Sequence, residues 1–320
     1  MTLANHPVFV SLTPVLILVA LGFLAGRLQW IRDAAIKDLS NLVFLLLIPA
    51  LLFRTMSAVR VETLDLRPLA AYFLAAGSLL AISIAWRGFN RRSAVLALSG
   101  VFSNMVMIGI TLVELAYGKQ GLVTLLTLVS VHALILLTAA TVVLELAVAR
   151  EARSGSPDGR APHLLATTWS AFKSALIHPI PLPIISGLLF AQSGLTLPVV
   201  VDKPLQLLGS AFGPIALVLL GVTLARTPLA GHLRQALWTT LSKNLVLPVL
   251  VGASAWAFGI TGLPLTVMVV AAALPTGANV FLFAQRYQVE QASTTASMGV
   301  STVAAVFTLS LVMFVMSVVN

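Results

Sequence analysis

The sequence predicts an all-α polytopic membrane protein. Ten transmembrane helices form two inverted five-helix repeats, with broken, crossing helices 4 and 9. Three observations predict this. The chain is 59% hydrophobic and 9% charged over 320 residues, with mean hydropathy +1.03; soluble domains carry about a quarter charged residues. The longest polar stretch, Arg150 to His163, separates five apolar runs from five. An odd number of spans on each side inserts the second half upside down relative to the first. Finally, two membrane-length segments, Ser93 to Gly118 and Leu263 to Tyr287, are interrupted by amides and helix-weakening residues at corresponding positions in the two halves.

About 20 apolar residues cross a bilayer. The spans read at 8–26, 38–56, 68–86, 94–116, 121–148, 176–193, 204–225, 235–258, 264–285 and 291–318. Span 1 follows a short stretch with no basic region, so it reads as a retained span and not a cleaved signal. Span 2 has Lys37-x-Leu39 and then Pro49, and span 7 has Lys203-x-Leu205 and then Pro214. Spans 3 and 8 rest on apolar length. Span 4 ends at Tyr117 and span 5 follows at once; span 9 ends at Tyr287 and span 10 follows at once. The run His178-Pro179-Ile180-Pro181-Leu182-Pro183 shapes the start of span 6 and has no metal-ligand spacing. The organisation is a first repeat over 1–149, a central loop over 150–163 and a second repeat over 164–320.

Cytoplasmic loops are enriched in Lys and Arg. With the central loop in the cytoplasm, thirteen cations lie inside: Arg27, Arg32, Lys37, Arg87, Arg91, Arg92, Arg150, Arg153, Arg160, Lys173, Arg226, Arg234 and Arg286. Five lie outside: Arg54, Arg60, Arg67, Lys119 and Lys203. Both termini are then expected outside a cell (inner) membrane. The net charge of +9 follows from topology, and no nucleic-acid partner is expected.

Broken helices in lipid survive only where they are buried in protein or line a wet cavity, because each unpaired backbone group costs several kcal/mol. A matched pair of them points to a transporter binding site. Span 4 carries Gly100, Ser103, Asn104 and Gly109. Two readings of Asn104 stand: an amide bridging helices, or a substrate ligand. Span 9 carries Pro275, Thr276, Gly277 and Asn279. Proline removes a hydrogen bond and clashes with the preceding turn. The expected product is two half-helices, the second aiming free N–H groups and partial positive charge into the membrane. The alternative is a plain proline kink.

Leu274-Pro275-Thr276-Gly277, followed by Phe283-Ala284 and Tyr287, resembles the ninth span of the auxin efflux carrier family. Ser103-Asn104-x4-Gly109-Ile110, followed by Tyr117-Gly118, resembles its fourth. The family includes bacterial malonate-transporter-like members and belongs with bile-acid symporter-like folds. The resemblance implies a mobile transport domain from spans 3, 4, 5, 8, 9 and 10. It implies a scaffold from spans 1, 2, 6 and 7, often dimeric. It also implies a small organic carboxylate bound beside the crossing, near Ser103, Asn104 and Pro275 to Asn279, with Asn41 on span 2 facing the transport domain. Two family prolines are absent. Ser103 stands before Asn104, and Gly109-Ile110 leads to Thr111. Span 4 is therefore expected to be less sharply broken than span 9.

Other intramembrane polar residues have two readings each. Lys243 lies about two turns, ~11 Å, into span 8. Its stem can snorkel to the cytoplasmic face, or its charge can serve a carboxylate or a switch. His132 can relay protons or simply bridge helices. Glu114 and Glu145 lie near span ends and read as interfacial. Ser301 and Thr302 either line the crossing or bond their own backbone.

The chain contains no cysteine, no HExxH and no G-x-S-x-G, and its five Asp fall in loops or at span edges. No enzyme, metal site or cofactor is expected. The leading expectation is a secondary membrane transporter of small organic anions by elevator-type alternating access. Its partners would be the carboxylate, the bilayer and a second copy through the scaffold. A transporter-fold sensor or a channel is the alternative.

Overall fold

The computed structural model describes residues 7–58, 66–155, 181–226, 231–277 and 279–319. Most of the central loop and the His178 to Ile180 part of the proline run lie outside them. The described residues are helical, and among them the extended pairing is one isolated antiparallel bridge. Among the described residues, six helices are long and apolar enough to cross a membrane: Ala34–Met56, Arg67–Arg87, Met105–His132, Val199–Ala225, Leu233–Ala257 and Gln291–Val319. Thr13–Arg27, Ala139–Val148, Leu182–Gln192 and Gly262–Ala273 are shorter apolar helices. Many large apolar side chains are turned outward. Trp86, Trp256 and Phe307 are 89%, 82% and 76% exposed. Such large exposed apolar surface is at home in lipid and not in water. The protein is a multi-pass membrane protein.

The chain divides into two compact units. The first gathers residues 1–66, 105–130 and 177–227. It holds α1 (Pro7–Arg27), α2 (Asp33–Leu42), α3 (Ile48–Met56), the start of α6 (Ile110–Gly155), α7 (Pro181–Gln192) and α8 (Val199–Ala225). α1 packs along α8 at backbone distance. A Cβ on Gly22 would overlap the Val218 carbonyl, and a Cβ on Gly221 would overlap the Val19 carbonyl. Small residues permit this approach where lipid gives helices little hydrophobic reason to associate. α3 is tied to α8 by a two-point ion pair, in which Arg54 donates from Nε and Nη2 to Asp202 at 2.7 and 3.1 Å.

The second unit gathers residues 67–104, 131–176 and 228–320. It holds α4 (Arg67–Arg87), α5 (Arg91–Ser99), the rest of α6, α9 (Leu233–Leu241), α10 (Leu247–Ala257), α11 (Gly262–Ala273), α12 (Asn279–Arg286) and α13 (Gln291–Val319). α10 packs between α4 and α11, and α9 lies along α13. Arg91 pairs with Glu151 at 2.6 Å and Arg92 with Glu290 at 2.7 Å. Glu145, expected at the interface, accepts the Tyr287 hydroxyl at 2.8 Å. Tyr287 is only 7% exposed; a phenol held among helices needs a partner for its hydroxyl.

Three π-helical turns interrupt the α-geometry: Val43–Leu47, Met105–Gly109 and Ser242–Val246. The first and last each end two residues before a proline, Pro49 and Pro248. A proline ring clashes with the carbonyl four residues back, and the wider π turn makes room for it. The middle turn ends two residues before Thr111. Further on, α6 breaks its helical backbone at Gly118, with φ 62 and ψ −160, where span 5 was expected to follow span 4.

Candidate functional site

The crossing is built by the second unit from its two interrupted helices. α5 ends at Ser99 and α11 ends at Ala273. The Asn104 N–H donates to the Pro275 carbonyl at 2.8 Å, and the Gly277 N–H donates to the Phe102 carbonyl at 2.9 Å. These bonds bracket the antiparallel bridge between Ser103 and Thr276. Backbone that leaves a helix in lipid must find partners elsewhere, and each break supplies partners for the other.

The structure corrects the expectation that span 4 is the gentler break. Residues 100–104 separate α5 from the π turn, as residues 274–278 separate α11 from α12. No proline is required, because the extended residues at 102–104 take their backbone bonds from span 9. Space is part of the reason. A Cβ on Gly277 would sit 3.0 Å from Phe102 Cδ1 and 3.1 Å from the Ser103 carbonyl oxygen, so glycine lets the strands close.

The orphaned helix ends are closed by side chains. The Thr276 hydroxyl donates to the Ser99 carbonyl at 2.9 Å, at the end of α5. The Thr276 N–H donates to Ser301 Oγ at 3.1 Å. Ser301 therefore reaches the crossing while its hydroxyl also donates to the Met298 carbonyl at 3.2 Å, and Thr302 bonds that same backbone carbonyl. The Ser103 hydroxyl shares a 3.0 Å hydrogen bond with Tyr72, which is fully buried on α4. Asn244 donates to the Ser301 carbonyl at 2.9 Å and to Thr308 at 3.2 Å.

Lys243 does not snorkel. It is 0% exposed, and its Nζ donates to the carbonyls of Ala272 at 2.5 Å and Leu274 at 2.6 Å. Nζ caps the carbonyl end of α11, where the helix dipole is negative. His132 is 3% exposed, its Nε2 has no hydrogen-bond partner, and its ring lies edge-on to Phe102 at 4.7 Å and near Tyr72 at 5.8 Å.

The structure thus brings together Ser103, Asn104, Pro275, Thr276 and Gly277, all buried, with His132 and Lys243 contacting the same segments. Asn279 opens α12 and is half-buried. Asn41 is exposed and belongs to the first unit. The sequence reading missed Tyr72 and the Ser99 carbonyl. A tyrosine little more than one turn into span 3 was the available signal for the first; nothing local marks the second. The first unit has its own cavity of about 470 Å³, lined in part by Arg54, Thr111, Glu114 and Lys119. It holds none of the residues expected at the site.

A family model described as membrane transport protein matches residues 7–313. The chain belongs to this family, the auxin efflux carrier and membrane transport family. It is 27% identical over 305 residues to the "Putative malonate transporter" of Rhizobium meliloti (strain 1021), covering 92% of this chain and 91% of that one. It is 24% identical over 323 residues to the "Uncharacterized transporter YfdV" of Escherichia coli (strain K12), covering 97% and 98%. The protein is a membrane transporter.

Proposed function

We propose that the chain is a secondary carrier of small organic anions, carboxylates such as malonate or auxin-like acids, working by elevator-type alternating access. The observation that carries this is the buried meeting of two broken helices through the Ser103–Thr276 bridge. A soluble-protein core would gain nothing from such a break, whereas a transporter gains backbone N–H groups and helix ends deep in the membrane. In this reading the carboxylate lies beside the crossing. Asn104 and the N–H groups opening α12 hold it, and the helix dipole favours the anion. His132 is assigned to proton coupling, since its free Nε2 lies among the rings beside the crossing. The name of the R. meliloti relative supports malonate as the first probe.

The same proposal places ten spans in two inverted five-helix repeats, with spans 3, 4, 5, 8, 9 and 10 moving and spans 1, 2, 6 and 7 forming a homodimeric scaffold. The division into units supports it. Spans 1, 2, 6 and 7 fall in the first unit and spans 3, 8, 9 and 10 in the second, while spans 4 and 5 are divided after Asn104 and Ser130.

The test is uptake and efflux of labelled malonate, other dicarboxylates and indole-3-acetate in liposomes. A hydrogen bond to a charged group is worth ~1.5–3 kcal/mol, so N104A is expected to lower flux roughly 10- to 100-fold. P275A, which lets the helix re-form, is expected to lower it as well. Unchanged binding and flux of every carboxylate in both variants would remove the site assignment.

A further inference from the structure

Lys243 is the most completely buried cation in this site, and its partners are not carboxylates. In a continuous helix the Ala272 carbonyl would accept from the N–H of residue 276. Here that N–H donates to Ser301 Oγ instead. The Leu274 carbonyl lies at the C-cap, just before Pro275. The break thus leaves two carbonyl oxygens turned toward one point at the negative end of a helix. Nζ sits at that point, 2.5 and 2.6 Å from them. Unwound carbonyls and half-helix C-terminal ends are the ligand chemistry by which membrane carriers hold a free monovalent cation.

We propose that Lys243 is a tethered cation. Its ammonium fills a monovalent-cation site made by the Ala272 and Leu274 carbonyls, so the crossing is held together with no free cation and sodium drives no flux. An apolar group of the same length would leave both oxygens unpaired, which is costly in a low dielectric. An ammonium carries three N–H donors, two of which are used on these carbonyls. The proposal about flux rests on the carrier reading above; the proposal about the cation site does not.

The experiment follows the melting of purified wild type, K243A and K243M in sodium, methylammonium or choline chloride at equal ionic strength. Ligand that binds only the folded state raises stability in proportion to ln(1 + [L]/Kd), so the melting temperature climbs with the logarithm of its concentration. Wild type is expected to melt identically in all three salts. K243A is expected to melt lower in choline and to recover with rising methylammonium or sodium, because truncation opens the space Nζ occupied. K243M fills that space without a donor, and is expected to melt low in every salt. A K243A protein that responds equally to the three salts would reduce Lys243 to a packing role and overturn the proposal. A sodium-specific rise in wild-type melting, absent in choline, would overturn it too, and that comparison stands even if K243A does not purify. In liposomes, equal wild-type flux in sodium and choline is expected; sodium-dependent flux would contradict the proposal. Absence of flux for any carboxylate would count against the carrier reading, while the melting comparison still decides the cation site.

Discussion

Thr276 shows how one residue can close a gap in two helices. Its N–H donates to Ser301 and its hydroxyl to the Ser99 carbonyl, so it spans from α13 to the end of α5 while pairing with Ser103. Gly277, the next residue, contributes by what it lacks. Its missing Cβ is the space filled by Phe102 and the Ser103 carbonyl, and the second of these is backbone fixed in the bridge. Gly277→Ala is therefore expected to push the two breaks apart, at about 1–3 kcal/mol for overpacking. It should lower the melting temperature and the flux together. Gly77 on α4 supplies the control. A Cβ there meets nothing within 4 Å, and alanine in a helix is favoured over glycine by roughly 0.5–1 kcal/mol. Thermal melting of the two variants checks the contrast: Gly77→Ala equal to or above wild type, Gly277→Ala below it. If both melt alike, the close approach at the crossing is not what requires glycine.

Among the elements, the π turns follow a local rule that Thr111 departs from. Val43–Leu47 and Ser242–Val246 each precede a proline by the same offset, and Met105–Gly109 keeps that offset before Thr111. The Thr111 hydroxyl oxygen is buried with no hydrogen-bond partner. The turn is thus shaped for a proline that is absent, and the residue present carries an unmet polar atom. Thr111→Pro is expected to fold and to melt no lower than wild type, with a gain of about 0.4–1 kcal/mol where the backbone already suits proline. A lower melting temperature would mean that the Thr111 N–H, not the turn's width, is what that position contributes. The helices themselves were legible in the sequence, since apolar runs of membrane length fall on them and Gly118 marks the break between two. Pro275 and Gly277 marked the interruption of span 9. The interruption of span 4 was not legible to the same degree, because its cause is non-local: residues 102–104 are extended through bonds to Pro275 and Gly277. Lys243 was seen as an intramembrane cation, but whether its long stem runs to the surface or to a helix end depends on where α11 stops. Tyr72 was missed because a hydroxyl shows its partner only once Ser103 is placed opposite it.

For the whole molecule, the loop cations predict an orientation. The last helix, α13, has mean hydropathy 2.4 with only 22% of its most apolar window buried, as suits a helix facing lipid. Arg91 and Arg92 are paired with Glu151 and Glu290. Pairing does not remove them from the topology argument, because orientation follows Lys and Arg and acidic residues contribute little. The expected topology puts the central loop in the cytoplasm and both termini outside. The chain contains no cysteine, so single cysteines report on it without a background to remove. Ser193 is exposed at the end of α7, on the side expected to be external. Ser193→Cys is expected to react with a membrane-impermeant maleimide in intact cells. Ser156→Cys, in the central loop, is expected to react only after the membrane is permeabilised. The reverse pattern would invert the molecule. Inversion would also exchange the compartments facing the Lys243-capped end of α11 and the first turn of α12. The crossing would keep its chemistry, because the bonds among residues 99–104, 272–277 and 301 lie within one unit and take nothing from the loops. Orientation and site are thus separable properties of this chain: loop cations set the first, and buried pairing between two broken helices sets the second.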